Sequence, residues 1–410
     1  MTHRNQIILS QLTPPAQKSS ILDRPRVLQL LKQSLDYPLT TLVTETGYGK
    51  TTSALSLIKS TQLPFFWYTV SRNERDPRLF LTYLCSAFNQ QGHKIGLPAL
   101  RVLENSEIDL QECLITLVNA ITSLLSEEAL FVLDDFQSLN ESDEILRMMN
   151  WFIEHLPANL HMVILSRTQL EFPSINKWRV RGKLLEIDKD SLSFSAEETD
   201  QLYRSTYQLN LPKDDLARLH QRTEGWAIGL QVVWQSIKAL PNMPLENLLE
   251  EESGSSLGNL FDYLADEVLD TQSAERQDFL VKTSVLQFLD SDTCDFLLDR
   301  QNSAETLSDL FRSGLFIEQL KPDVFRYHHI FREFLLSRLS KDDDLKKGLH
   351  RKLASYFSAH HYWEQAISHL ISAEDFGRLR QILDEVGERL LQSGLKQSIR
   401  YWLGKLPEEE

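Results

Sequence analysis

Two stretches of this sequence carry residue types at spacings that could do chemistry on a phosphate. The first is Val43-Thr44-Glu45-Thr46-Gly47-Tyr48-Gly49-Lys50-Thr51-Thr52. Gly47 and Gly49 permit a tight turn whose backbone N–H groups point inward at an anion, and a following helix would add the positive end of its dipole. Lys50 would reach the β- and γ-phosphates and the Thr51 hydroxyl would ligate Mg²⁺, with Tyr48 and Thr52 completing the loop. The pattern G-x-x-x-x-G-K-[ST] asks for glycine where this chain has Thr44. The second stretch is Leu130-Phe131-Val132-Leu133-Asp134-Asp135-Phe136, four apolar residues ending in two carboxylates. Asp134 is placed to hold Mg²⁺ directly or through water, and Asp135 to polarise an attacking water.

Both stretches need a parallel sheet to present them, and the surrounding pattern supplies one. Apolar runs at Thr40–Val43, Phe65–Val70, Leu130–Leu133, Met162–Leu165 and Leu184–Ile187 read as buried strands. Helical periodicity separates them, over residues 51–59, 77–88, 110–125 and 145–156. Strands alternating with helices predict an α/β fold with helices on both faces of a parallel sheet, and ligands at the C-terminal ends of its strands. The run Met162–Leu165 ends in Ser166-Arg167, which puts Arg167 at that edge as a candidate phosphate sensor. Ahead of the sheet, Asp23 is a candidate N-cap and Pro25 a first-turn residue for a helix through Leu35. Arg24 beside them could reach a phosphate or simply lie on the surface, and the sequence alone does not separate the two. Residues 91–108 read as a polar loop with a short apolar patch.

The chain changes character after the strands. Ser195-Ala196-Glu197-Glu198 is a capping box opening a small helical region that runs through Thr223-Glu224-Gly225-Trp226-Ala227 to Leu240. Prolines, the acidic run Glu246–Glu252 and Ser253-Gly254-Ser255-Ser256 read as a linker. Short helices followed by a hairpin turning at Pro322-Asp323 then describe a winged helix. Residues 275–340 hold 11 acids against 8 bases, so this winged helix reads as a packing module, not as a DNA-contacting one. From Leu349 onward the small/large alternation of paired helices resembles the start of an α-solenoid. The sequence stops at Leu406-Pro407-Glu408-Glu409-Glu410 inside that region, which fits a truncated chain or a short family member. The expected units are a loose lead-in (1–20), a nucleotide-binding unit (21–194), a small helical unit (195–245), a winged helix (246–345) and a helical arm (346–410).

Composition narrows the classes. At 410 residues the chain suits two to four domains, and 42% apolar with 25% charged residues is a globular composition. No apolar run is long enough for a membrane span, and Ile7-Ile8-Leu9 is too short for a secretory signal. Three scattered cysteines fit a reducing cytoplasm, and the formal charge of −15 argues against a broad nucleic-acid surface.

The loop Gly47–Thr52, the strand end Leu133–Phe136, Leu165-Ser166-Arg167, Glu224–Gln231 and Tyr327–Leu335 occur in the order seen in MalT-type signal-transduction ATPases. The chain resembles this group of STAND nucleotide switches (signal-transduction ATPases with numerous domains) from about Ile21 to its end, with MalT-like LuxR-family transcription activators the best match. The resemblance implies an ATP/ADP switch with weak hydrolysis that serves as a reset, closed with ADP and opening to self-associate with ATP and an inducer. It implies that Arg24 helps recognise the triphosphate and that Gly225-Trp226-Ala227 stands where the family's G-x-P motif meets adenine, with Ala227 in place of proline. It further implies that His328 touches the β-phosphate of ADP; read alone, His328 is an ordinary hairpin histidine. The family's inducer-binding superhelix and DNA-binding domain are not among these residues, so inducer binding is expected outside them. Two other readings stand beside it: a STAND effector in defence or signalling with another output, and a fast-turnover P-loop ATPase.

Overall fold

The computed structural model describes residues 7–16, 21–71, 74–90, 92–105, 109–241, 244–248, 257–313, 315–392 and 394–407. Five strands, β1 (Leu39–Val43), β2 (Phe65–Thr69), β3 (Ala129–Asp134), β4 (Leu160–Ser166) and β5 (Leu184–Ile187), form one sheet in the order β2-β3-β4-β1-β5. All four pairings are parallel. Their side chains alternate between two cores, as the period of two requires. Phe66, Tyr68, Phe131, Leu133, Met162 and Ile164 enter one core, while Trp67, Leu130, Val132, Val163 and Leu165 enter the other.

The two cores recruit different parts of the later chain. The first holds helices Pro77–Ala87, Leu110–Leu124 and Asp143–Glu154, and also Ile367, Leu383, Ile399 and Trp402 of the C-terminal helices. The second joins the loop helix Lys50–Thr61 to the helix Ala227–Ala239 and to the winged helix. The chain therefore folds back on both faces of its own sheet. The winged helix comprises the helices Leu257–Asp270, Ala274–Thr283, Ser291–Leu298, Ser303–Ser313 and His329–Leu339. Its three-stranded sheet runs β6-β8-β7, from β6 (Leu289–Asp290), β7 (Ile317–Lys321) and β8 (Val324–Tyr327). Four helices follow: Asp343–Ala359, Trp363–Ser372, Phe376–Gln392 and Lys396–Leu403. Among the described residues no helix is long and apolar enough to cross a membrane.

Several sequence expectations need correction. Arg24, not Asp23, is the N-cap of the helix Pro25–Lys32, and no side chain caps it there. The segment read as a loose lead-in holds a 3₁₀ turn, Leu9–Leu12, with Ser10, Gln11 and Leu12 buried. Gln11 Nε2 donates to the Glu74 carboxylate and to the Thr69 carbonyl, so a polar residue anchors the turn. The stretch 91–108 contains a helix, Leu97–Leu103, which buries Ala99 and Leu103. Seven residues are too few to show periodicity, and tertiary burial decides the structure. The hairpin gains a third strand, β6, only two residues long. The linker at residues 246–256 lies outside the described residues from 249 onward.

Candidate nucleotide site

The loop between β1 and the helix Lys50–Thr61 takes the shape its glycines allow, with φ +90° at Gly47 and +81° at Gly49. Left-handed backbone at two glycines turns consecutive N–H groups to one side. Lys50 closes the loop: its Nζ donates to the Thr44 and Glu45 carbonyls at 2.6 and 2.8 Å. Burial, with the Arg167 charge beside it, pushes the Lys50 ammonium down to about 8. Thr44, where the pattern asks for glycine, is buried and extends β1 by donating its N–H to Ser166 O at 3.2 Å.

Opposite the loop, the Thr51 hydroxyl donates to Asp134 Oδ2 at 3.1 Å. Asp134 is buried at the end of β3, and burial together with its neighbour Asp135 raises its carboxyl pKa. A hydroxyl and a buried carboxylate converging at this spacing are hard oxygen donors suited to Mg²⁺. Among the described residues no cluster of three His, Cys, Asp or Glu could hold a metal. A metal held by Thr51 and Asp134 would therefore take its other ligands from phosphate and water. Asp135 stands in left-handed backbone (φ +59°), a strained position that aspartate tolerates. Its Oδ1 accepts from Arg167 Nη2 at 2.9 Å and from Gln137 Nε2 at 3.1 Å. Burial works against ionisation there, but the Arg167 and Arg326 charges outweigh it and lower the carboxyl pKa. Gln137 also accepts the Arg167 N–H at 3.1 Å, so it ties the two strand ends together.

The winged helix reaches this same place. His328 begins the helix His329–Leu339 directly after β8, and its N–H donates to Phe316 O at 2.7 Å. Its Nδ1 is buried with no hydrogen-bond partner among the described residues. Burial, and the nearby Arg326, Arg167 and Lys50 charges, push the imidazole down to about 4 despite Glu318. Arg326 lies two residues earlier on β8 and pairs with Glu318 at 2.9 Å, directly across from it on β7. Burial opposes its charge, yet Glu318, Asp135 and Asp134 raise its pKa. No motif pointed to Arg326 or Gln137. Its place two residues before His328 is the one signal that could have found the arginine.

The remaining candidates divide. Trp226 lies against the loop, its indole Nε1 donating to Thr46 O at 2.9 Å, while Ala227 starts the helix behind it. Gly225 (φ +69°) faces Phe194, where a Cβ would lie 2.2 Å from the carbonyl oxygen. Tyr48 is buried with its ring 6.4 Å from that of Trp226, and Lys189 sits over it at 5.5 Å. Thr52 follows in the first turn of the loop helix and accepts Ser56 Oγ at its carbonyl. Arg24 makes its hydrogen bonds outside the loop. Its guanidinium donates to Leu192 O, Ser193 O and Glu198 Oε2 at 2.7–2.8 Å and stacks on Phe194 at 4.0 Å. Glu198 is the same carboxylate that closes the capping box on Ser195, so Arg24 clamps the entry to the small helical region.

A phosphate-binding loop, an Asp-Asp strand end and a winged helix closing on both are the parts of a P-loop ATPase core. Family models match this reading: an AAA domain over residues 35–171 and the MalT winged helix domain over 265–347. The chain is 30% identical over 405 residues to the HTH-type transcriptional regulator MalT of Vibrio parahaemolyticus, covering 98% of this chain and 44% of that protein. It is 31% identical over 385 residues to the regulator of the same name from Yersinia enterocolitica, covering 92% of this chain and 42% of that one. Its fold is shared with a STAND protein with a tetratricopeptide repeat sensor from Pyrococcus horikoshii, at TM-score 0.67 and 16% identity over 96% of this chain and 54% of that one. The chain is thus MalT-like, with an AAA-type P-loop domain and a MalT-type winged helix, and it spans less than half the length of the MalT relatives it matches.

Proposed function

We propose that this chain is the nucleotide-controlled switch core of a signal-responsive transcription regulator working in the cytoplasm. Residues 21–194 bind the adenine nucleotide, 195–245 and 246–345 close over it, and the arm 346–410 packs against the far face of the sheet. ADP holds the closed form; ATP and an inducer favour an open form that self-associates. Only a ligand that binds the two forms with different affinity can shift that balance.

One observation carries the reading: the hairpin residues Arg326 and His328 project into the electrostatic field of Lys50, Arg167 and the two aspartates. An unpartnered, buried imidazole nitrogen beside that cluster suits a phosphate oxygen. Bound Mg²⁺ would neutralise developing phosphate charge, with Thr51 and Asp134 as its protein ligands. Asp135 orients water, Arg167 reads the terminal phosphate, and Lys50 binds the phosphates. Inducer and DNA contacts are assigned to regions other than this core, because the winged helix carries more acid than base.

The test is nucleotide content after purification, read by anion-exchange chromatography of the denatured protein. The expected result is close to one ADP per chain, lowered at least tenfold by His328→Ala. An empty wild-type protein that turns over ATP rapidly would replace the switch with an ordinary ATPase.

A further inference from the structure

The loop's orientation poses a physical problem that the switch reading leaves open. If the N–H groups of residues 46–51 face a phosphate, the carbonyls of the same peptides face away and need donors of their own. Two of these carbonyls take theirs from a distant segment: the Trp226 indole N–H serves Thr46 at 2.9 Å, and the Ile228 N–H serves Gly47 at 3.1 Å. Ile228 lies in the first turn of its helix, where N–H groups have no partner within the helix. The loop is gripped from behind by a separate part of the chain 180 residues away.

This grip explains Gly47 better than turn geometry alone does. A Cβ there would lie 2.4 Å from Ile228 Cγ2 and 2.7 Å from Trp226 Nε1. Trp226 itself is 4% exposed, and Gly229 leaves room for its ring, since a Cβ at 229 would stand 2.8 Å from Cε3. Its other edge meets Phe261 of the winged helix, with ring centroids 6.2 Å apart, and Phe261 in turn meets Phe316, whose carbonyl binds the His328 N–H.

We propose that Trp226 is a positioning residue: its indole N–H holds the Thr46 carbonyl turned outward so that the loop amides face the phosphates, and its contact with Phe261 makes that orientation depend on where the winged helix sits. The inference rests on nucleotide binding at this loop but is distinct from a contact between Trp226 and the base. Opening of the winged helix removes Phe261 from the indole and loosens the loop.

The test uses the full chain, ADP as the probe, and two replacements. Trp226→Phe keeps an aromatic ring without the N–H; replacement of Trp226 by β-(3-benzothienyl)alanine keeps the bicyclic shape with sulfur in place of N–H. Both should weaken ADP binding about tenfold, or about 1.4 kcal/mol, and speed amide exchange at residues 46–49 severalfold. ADP affinity within twofold of wild type for the benzothienyl variant would overturn the proposal. So would weakened affinity with unchanged loop exchange, which is the signature of a base contact. A wild-type protein that binds no ADP would sink the switch reading as well.

Discussion

Asp76 Oδ2 accepts the Gln397 backbone N–H at 3.2 Å, across 321 residues of sequence. The same oxygen takes the Ser398 N–H at 3.4 Å, while Oδ1 takes the Arg78 and Leu79 N–H groups at 2.9 and 3.2 Å. One carboxylate therefore caps two helices at once, Pro77–Ala87 beside the sheet and Lys396–Leu403 at the end of the arm. Around it, Leu395, Ile399 and Trp402 share a core with Tyr68 and Tyr83, so the arm is clasped to the nucleotide-binding unit.

Asp76→Ala should cost about 1 kcal/mol for each cap, about 2 kcal/mol in all. Asp76→Asn separates the two, because the amide can keep an acceptor for Arg78 and Leu79 but then offers an NH₂ group to Gln397 and Ser398. Hydrogen exchange should then speed up at residues 397 and 398 and stay unchanged at 78 and 79. Equal protection at both sites in the Asn variant would show that the arm is held by its apolar residues alone.

The clasp should weaken as pH rises. Burial, and the Glu74 and Asp76 charges, raise Glu364 to about 8, and burial raises Glu74 to about 7 against the hydrogen bonds from Tyr68, Ser71 and Gln11. Both acids have folded values above the ordinary 4.5. The folded protein therefore binds more protons than the unfolded chain between these values, and stability falls from about pH 4.5 until the folded values of 7 to 8 are passed. Glu364→Gln should flatten that fall and gain roughly 1–3 kcal/mol at pH 8.5, measured by urea unfolding at pH 5 and pH 8.5. A variant that tracks wild type at both pH values refutes the assignment.

The strands and the loop were legible in the sequence because a buried parallel strand needs an unbroken apolar run, and a phosphate loop needs glycine and lysine at fixed spacing. Contacts between distant segments were not. Arg24 places both of its Nη atoms on residues 192–198, and nothing local marks a partner 168 positions away. The segment around Gln11 looked loose because its anchor, Glu74, is a buried acid that pattern reading assigns to the surface. Arg326 carries no motif, and only its place two residues before His328 could have marked it. The winged helix was legible as an element order, while its approach to the Lys50 site was legible only through the family resemblance that singled out His328.

The two loop glycines should differ sharply. At Gly49 a Cβ meets no atom of the described residues within 4 Å, so Gly49→Ala costs only the left-handed backbone, about 1–2 kcal/mol. At Gly47 the same cost is joined by the collision with Ile228 and Trp226, which adds about 1–3 kcal/mol of overpacking. Thermal melts should rank Gly47→Ala well below Gly49→Ala, and ADP affinity should fall at least tenfold further. Equal melting of the two variants would mean that the helix Ala227–Ala239 does not press on the loop in solution.

The way Asp135 is held predicts slow hydrolysis. Its Oδ1 is already engaged by Arg167 and Gln137, and its pKa is lowered, so it is a weak proton acceptor at neutral pH. Polarising water through such a carboxylate requires Arg167 to transfer to another anion first, and a terminal phosphate is the anion at hand. Asp135→Asn should therefore reduce single-turnover ATP hydrolysis at least 100-fold while leaving ADP affinity within about threefold, because the residue takes no part in holding the loop. Gln137→Ala, which removes one of the two donors and leaves Arg167, should change the rate by less than tenfold in either direction. An Asp135→Asn protein that hydrolyses ATP at the wild-type rate would transfer the water-activating role to Asp134, whose raised pKa and contact with Thr51 make it the other carboxylate at this strand end.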